Sequence, residues 1–182
     1  MNVYSFYVRN ADSSGISGDI PCDGFTCQLW QPSYFSIMPN GLHSPVFLVW
    51  WLFHITHIFA NKEYGVILVR DAQGEIAHRS TITPKYFRFP FMDSHDMQVG
   101  DVWTSQKYRG KGLAFLALNK ILDVYVSENR TIWYLTEDTN KASINLAIKA
   151  GFELFGHGER NKSIGIKILG KFEITLKSDV LQ

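Results

Sequence analysis

Apolar and polar positions group along the chain into a readable series of elements. YSFYVRN at 4–10 alternates as a short strand, and the stretch at 11–24, rich in Gly, Ser and Asp, reads as a loop. FTCQLWQPS at 25–33 alternates as a second strand. PVFLVWWLFHITHIFAN at 45–61 is apolar almost throughout and opens on a proline, which the first helical turn tolerates, so it reads as a helix. EYGVILVRDAQGEIAHRSTITP at 63–84 gives two strands joined by a tight turn at 71–74.

After a polar interruption, FMDSHD, the β-branched run MQVGDVWTS forms a strand ending at Ser105. Residues 112–127 carry Leu113, Leu116, Leu118, Ile121, Leu122 and Tyr125 near helical spacing. TIWYLTED is the next strand and NKASINLAIKAGF the next helix, with Gly151 as the left-handed residue that closes it. ELFGHGER and KFEITLK complete the series as strands. A run of strands followed by βαβαββ, without internal repeat or linker, predicts a mixed α/β sheet in a single domain over 1–182.

Composition narrows the picture. The 182 residues suffice for one sizeable core, and 18 Lys and Arg balance 17 Asp and Glu, so a nucleic-acid partner is not expected and any anion site is local. Cys22 and Cys27 are too few for a disulfide framework and lack the second ligand pair of a zinc site, which points to no metal and a cytoplasmic setting. The apolar run at 45–60 is shorter than the roughly 18 to 20 residues that cross a membrane, and His54, Thr56 and His57 interrupt it. No secretory pattern opens the sequence. From Gly24 to Asn61 there is no Asp, Glu, Lys or Arg, so this segment is expected to be mostly packed, as a core helix and pocket wall or against a second copy in a homodimer.

The stretch SQKYRGKGLAFLALNKIL at 105–122 carries the sharpest chemistry. A helix start favours acidic residues because its unpaired amides hold partial positive charge, yet Lys107, Arg109 and Lys111 stand there, at about 0.3 to 1 kcal/mol of repulsion each. A bound anion reverses that sign. Gly110 and Gly112 let the backbone close around such a ligand, and phosphate fits best. A nucleotide P-loop fails because Gly112 follows Lys111 where Ser or Thr is needed, and a dinucleotide fingerprint fails because Phe115 holds the third glycine's place.

Arg109-Gly110-Lys111-Gly112-Leu113-Ala114 resembles the (Gln/Arg)-x-x-Gly-x-(Gly/Ala) signature of the GNAT superfamily of acyl-CoA-dependent N-acetyltransferases. NKASINLAIKAGF at 140–152 resembles the family's Asn-x-x-Ser helix ending in Lys-x-Gly-Phe, at the usual distance downstream. The resemblance covers about 63–177, and residues 1–60 are the least family-like part. It implies a GNAT fold: a mixed, mostly antiparallel sheet flanked by helices, with a splay between the two central strands that holds CoA. It also implies acetyl-CoA as donor, with its pyrophosphate on the amides of Gly110 to Ala114 (Gly110, Lys111, Gly112, Leu113 and Ala114) beside the charges of Arg109 and Lys111. The pantetheine arm would run along the backbone of Val102, Trp103 and Thr104, facing Asn140 and Ser143. Asn140 is equally a helix N-cap.

Acetyl transfer needs a neutral amine, donors for the developing oxyanion and a proton for the departing thiolate. Asp101 is the first candidate base and Glu137, acting through water, the second; His78 and His95 fall on the expected acceptor side. Many family members carry a tyrosine acid four residues before the Gly-Phe pair, where this chain has Ala147. Ser143 or Tyr134 is the substitute, or none is needed, because a thiolate with a reference pKa near 8.5 leaves readily. The acceptor is expected to be a small-molecule primary amine, an amino-sugar nucleotide among the options. The alternatives are a protein N-terminus and a noncatalytic acyl-CoA-binding regulatory module. Its pocket is expected among Trp30, Tyr34, Phe35, Lys85, Tyr86, Phe87, Arg88, Phe89 and Asp93.

Overall fold

In the computed structural model, which describes residues 3–10, 24–125, 129–161 and 170–176, the alternating segments join one eight-stranded sheet. In chain order the elements are β1 (Val3–Asn10), β2 (Phe25–Trp30), α1 (Pro45–Ile55), β3 (Gly65–Asp71), β4 (Ile76–Pro84), β5 (Met97–Thr104), α2 (Leu113–Tyr125), β6 (Thr131–Glu137), α3 (Lys141–Lys149), β7 (Glu153–Arg160) and β8 (Phe172–Leu176). The loop expected over 11–24, with Cys22, lies outside the described residues except for Gly24, as do 126–127 at the expected end of α2 and Lys177 at that of β8.

The strands lie in the order β2-β3-β4-β5-β6-β1-β7-β8. Every neighbouring pair is antiparallel except β5 and β6, which run parallel. The first strand therefore does not extend an edge. It slots between β6 and β7, pairing Tyr4 with Glu137 on one side and Val3 with Glu159 on the other. Ser5 donates to the Asp138 carboxylate just past β6, and His157 on β7 stands 3.2 Å from the same carboxylate, so one acid ties three strands together.

Successive strand residues point to opposite faces, and both faces are covered. Ile67 and Val69 pack with Leu118 and Ile121 of α2 and with Phe152 beyond α3, whereas Val66 and Leu68 pack with Phe47 of α1, Tyr64, Trp133 and Phe172. Helix α1 stops six residues short of the expected 45–61. The amide and hydroxyl of Thr56 both donate to the Leu52 carbonyl, and His57 takes a left-handed φ of 58°. Within one chain the uncharged segment is only partly packed: Phe47 is buried, but Phe35 is fully exposed and Leu48, Val49 and Leu52 are each more than 40 % exposed. A helix that is apolar all round buries only the side that meets the sheet.

Candidate active site

The site begins where the sheet comes apart. β5 and β6 pair only from Met97–Ile132 to Val99–Tyr134, and the two strands then diverge. On the other flank of β5 the register to β4 shifts between Arg79 and Thr81, so that Asp101 and Val102 together face Ser80. This β-bulge turns the strand and re-aims its amides; Asp101 accommodates it with φ 44°, a region Asp enters more readily than most residues. His78 pins the strands around the bulge, its Nδ1 2.8 Å from the Thr104 hydroxyl and its Nε2 2.7 Å from that of Ser80. Burial, with a smaller contribution from the Arg79 charge, lowers the His78 pKa to about 4, so the ring is neutral. It is wholly buried on the side of Thr104, and not a residue of the acceptor side as expected; His95 lies before β5, where its carbonyl accepts from Arg130 Nε.

A short 3-10 turn (Gln106–Tyr108) leads from β5 to α2. The Tyr108 hydroxyl donates to Asp71, whose carboxylate also accepts from the amides of Gln73 and Glu75; the Tyr108 bond leads the effects that hold its pKa below the usual value. The three cations of this stretch divide their work. Lys107 sits 3.6 Å from Glu75 and 3.9 Å from Asp71, Lys111 lies over the rings of Phe25 and Tyr108, and Arg109 donates to the Thr104 carbonyl. Gly110 and Gly112 have φ near +79° and open space where a Cβ would stand. The first amides of α2 follow, without intrahelical acceptors by the geometry of a helix start.

A cavity of about 600 Å³ fills the splay. Val102, Trp103 and Thr104 line it from β5, Arg109, Gly110, Gly112, Leu113 and Ala114 from the turn and α2, and Asn140 and Ser143 from α3. Lys111 is the exception among the expected residues, because its ammonium is drawn to the aromatic faces instead. Tyr108, Phe115 and Lys149 were missed. Lys149 stands over the Phe115 ring, and its spacing with Ala142, Asn145 and Leu146 is that of one helical face, the signal that marks them as neighbours of Ser143. Asn140 also caps α3, its side chain accepting from the Ser143 amide at 3.1 Å.

A second cavity, of about 340 Å³, opens on the far side of the splay. Asp101 and Glu137 line it, with Thr81, Tyr86, Arg88 and Phe89; of the expected pocket residues Trp30, Tyr34, Phe35, Lys85, Phe87 and Asp93 do not. Trp50 of α1 does, and was not singled out. Asp101 is held by Arg79 at 2.7 and 3.2 Å through both carboxylate oxygens, and the same guanidinium stacks on Trp103. Four residues, Val102, Tyr134, Asn140 and Ser143, line both cavities, so the two meet there. The Tyr134 hydroxyl is 2.8 Å from that of Ser143, and burial raises its pKa, partly offset by this bond. Ala147 is fully buried in the core.

A sheet that splays beside a bulge, over a glycine turn at a helix start, defines the class. A model of the acetyltransferase (GNAT) family matches residues 26–152, and the chain belongs to that family, whose members are acyltransferases using acyl-CoA donors. Among solved structures it is similar to a GCN5-related N-acetyltransferase from Sphaerobacter thermophilus, with a TM-score of 0.54 at 14% identity over 86% of this chain and 49% of that one. An acetyltransferase of the GNAT family from Novosphingobium aromaticivorans gives 0.54 at 15% identity over 86% and 61%. A tandem GNAT protein from the clavulanic acid biosynthesis pathway gives 0.58 at 13% identity over 85% and 50%. The chain thus spans about half to three fifths of the length of these structures. No curated protein matches it.

Proposed function

We propose that the chain is an acetyl-CoA-dependent N-acetyltransferase acting on a primary amine of a small molecule, with an amino-sugar nucleotide among the acceptors its aromatic cavity suits. The observation that carries this reading is the meeting of the two cavities at Val102, Tyr134, Asn140 and Ser143. Acetyl-CoA supplies a thioester carbonyl open to attack by an amine. The turn at Gly110 and Gly112 offers amides to its pyrophosphate, with Arg109 and Lys149 adding charge, and the unpaired edge of Val102 to Thr104 accommodates its arm. The re-aimed amides of the bulge face the oxygen on which negative charge develops.

Three proton transfers remain: the bound ammonium loses one proton to become the attacking amine, the amine gives up a second, and the sulfur takes one. Both oxygens of Asp101 already accept hydrogen bonds from Arg79. Asp101 is better suited to attracting an ammonium group. Glu137, exposed on the same cavity, takes a proton through water from the bound ammonium to leave the neutral amine, and the second proton, released as the N–C bond forms, passes by the same water to solvent. Tyr134, kept protonated by burial and bonded to Ser143, supplies the proton to sulfur in place of the tyrosine absent at Ala147. The setting is cytoplasmic in this reading, and the exposed apolar side of α1 is the surface on which a homodimer would form.

Calorimetric titration with acetyl-CoA, followed by thiol release with a library of amines, tests the proposal. Gly112→Val, forced into a left-handed conformation at roughly 1 to 2 kcal/mol and projecting into the cavity, is expected to weaken CoA binding tenfold or more. Failure to bind CoA, with no effect of Gly112→Val, would overturn the reading. The buried Ala147 and the clamped Asp101 favour a second reading, a noncatalytic acyl-CoA-binding module, for which CoA binds but no amine is acetylated.

A further inference from the structure

We infer that the acceptor amine carries a hydroxyl group, which Thr81 of β4 and Gln98 of β5 recognise while the amine faces Asp101 and Glu137. The inference rests on the second cavity being the acceptor site of the acetyltransferase proposed above. Thr81 and Gln98 both line that cavity. Thr81 is only 1% exposed, and its hydroxyl has no hydrogen-bond partner among the described residues. Its neighbours on β4 are matched: the Ser80 hydroxyl stands 2.7 Å from His78 Nε2, and that of Thr83 donates to Gln98 Oε1 at 3.1 Å. A buried hydroxyl without a partner costs stability, and in the wall of a cavity a ligand can supply what the fold does not.

Register places Gly100 opposite Thr81, and Gly100 lines the cavity too. A Cβ on Gly100 would stand 3.5 Å from the Thr81 hydroxyl oxygen and 3.2 Å from Gln98 Oε1, so both atoms belong to one corner of the cavity. Gln98 Oε1 accepts from Thr83, and an amide oxygen has a second lone pair; the amide nitrogen donates to the Val99 carbonyl. The corner therefore offers a hydroxyl and an acceptor, both neutral. A ligand hydroxyl matches it on both counts, donating to Gln98 Oε1 and accepting from Thr81. A carboxylate or phosphate would set its own oxygens against the amide oxygen, and an ammonium is drawn instead to Asp101 and Glu137 on the same cavity. Much of the remaining wall is aromatic, with Trp50, Tyr86, Phe89 and Phe172, so this corner is one of few polar points that can fix a ligand's orientation. At about 340 Å³ the space suits a small hydroxylated amine.

The test pairs amino alcohols of graded chain length with the alkylamines that lack only the hydroxyl. Each is titrated calorimetrically into the full chain loaded with CoA. At the best length the amino alcohol is expected to bind about tenfold tighter than its alkylamine. Thr81→Val, which keeps the shape and removes the hydroxyl, is expected to bring that ratio close to one while the affinity for CoA stays the same; Thr81→Ser, which retains a hydroxyl, keeps the ratio well above one. Because the hydroxyl has no partner among the described residues, Thr81→Val is also expected to leave the denaturation midpoint unchanged or higher, whereas loss of a hydroxyl bonded within the fold would lower it. Equal binding of the two series at every length overturns the inference, as does an advantage that survives Thr81→Val, a lowered midpoint in that variant, or a failure of every amino alcohol to bind. Loss of CoA binding by the unaltered protein would instead count against the acetyltransferase reading itself.

Discussion

Tyr134 joins the two cavities through one hydroxyl, which is why the proposed reaction gives it the acid's role in a chain that carries Ala147. A phenol held 2.8 Å from Ser143, with its pKa raised by burial, keeps the proton that the proposed reaction passes to the sulfur. Tyr134→Phe is therefore expected to lower kcat by roughly tenfold to a hundredfold with a much smaller change in the KM for acetyl-CoA. Steady-state kinetics decide it; an unchanged kcat would mean that the thiolate leaves unaided. That Arg109, Gly110 and Gly112 stand together at a helix start, where they line one cavity, was legible because the rule for helix starts is local. The fate of Lys111 and Asp101 was not. Their partners, the Phe25 and Tyr108 rings and Arg79, include residues brought close only by strand register, which a linear reading does not provide.

At the scale of elements, the sequence marked the eight strands and three helices of the described residues by different signals: alternation and β-branched runs for the strands, helical spacing for α2, the opening proline for α1 and the closing Gly151 for α3. Two features escaped. One is the bulge at Asp101 and Val102, which arises from a mismatch between two strands and belongs to neither alone. The other is β1, whose pattern shows two apolar faces but not which neighbours it joins. Its central place makes a strong demand: Phe6 is 1% exposed, in edge contact with Phe91 and Phe172. Phe6→Ala is expected to destabilise the protein by about 3 to 5 kcal/mol in chemical denaturation, a core penalty that an edge strand would not show.

The whole molecule consists of two strand groups, β2 to β5 and β6-β1-β7-β8, joined by three residue pairs between β5 and β6, and the cavities lie where that seam opens. His78 makes its stability depend on pH. With a folded pKa of about 4 against 6.5 in the unfolded chain, the unfolded state alone takes up the proton between those values. Stability is then fully present above pH 6.5 and falls on acidification through pH 4, by on the order of 3 kcal/mol from this group. Denaturation midpoints recorded from pH 7 to pH 4 should show that slope, and His78→Gln should flatten it.

The interior place of β1 also sets the order of assembly. Ser5 meets Asp138 across 133 positions and His157 across 152, so this strand is made well before the partners that enclose it. The β2 to β5 group closes through local hairpins, whereas the other group stays open until the late strands arrive to enclose β1. Such long-range closure slows folding and leaves β6 and β7 with bare edges in the interval, which makes this half of the protein the one most dependent on protection from aggregation during synthesis.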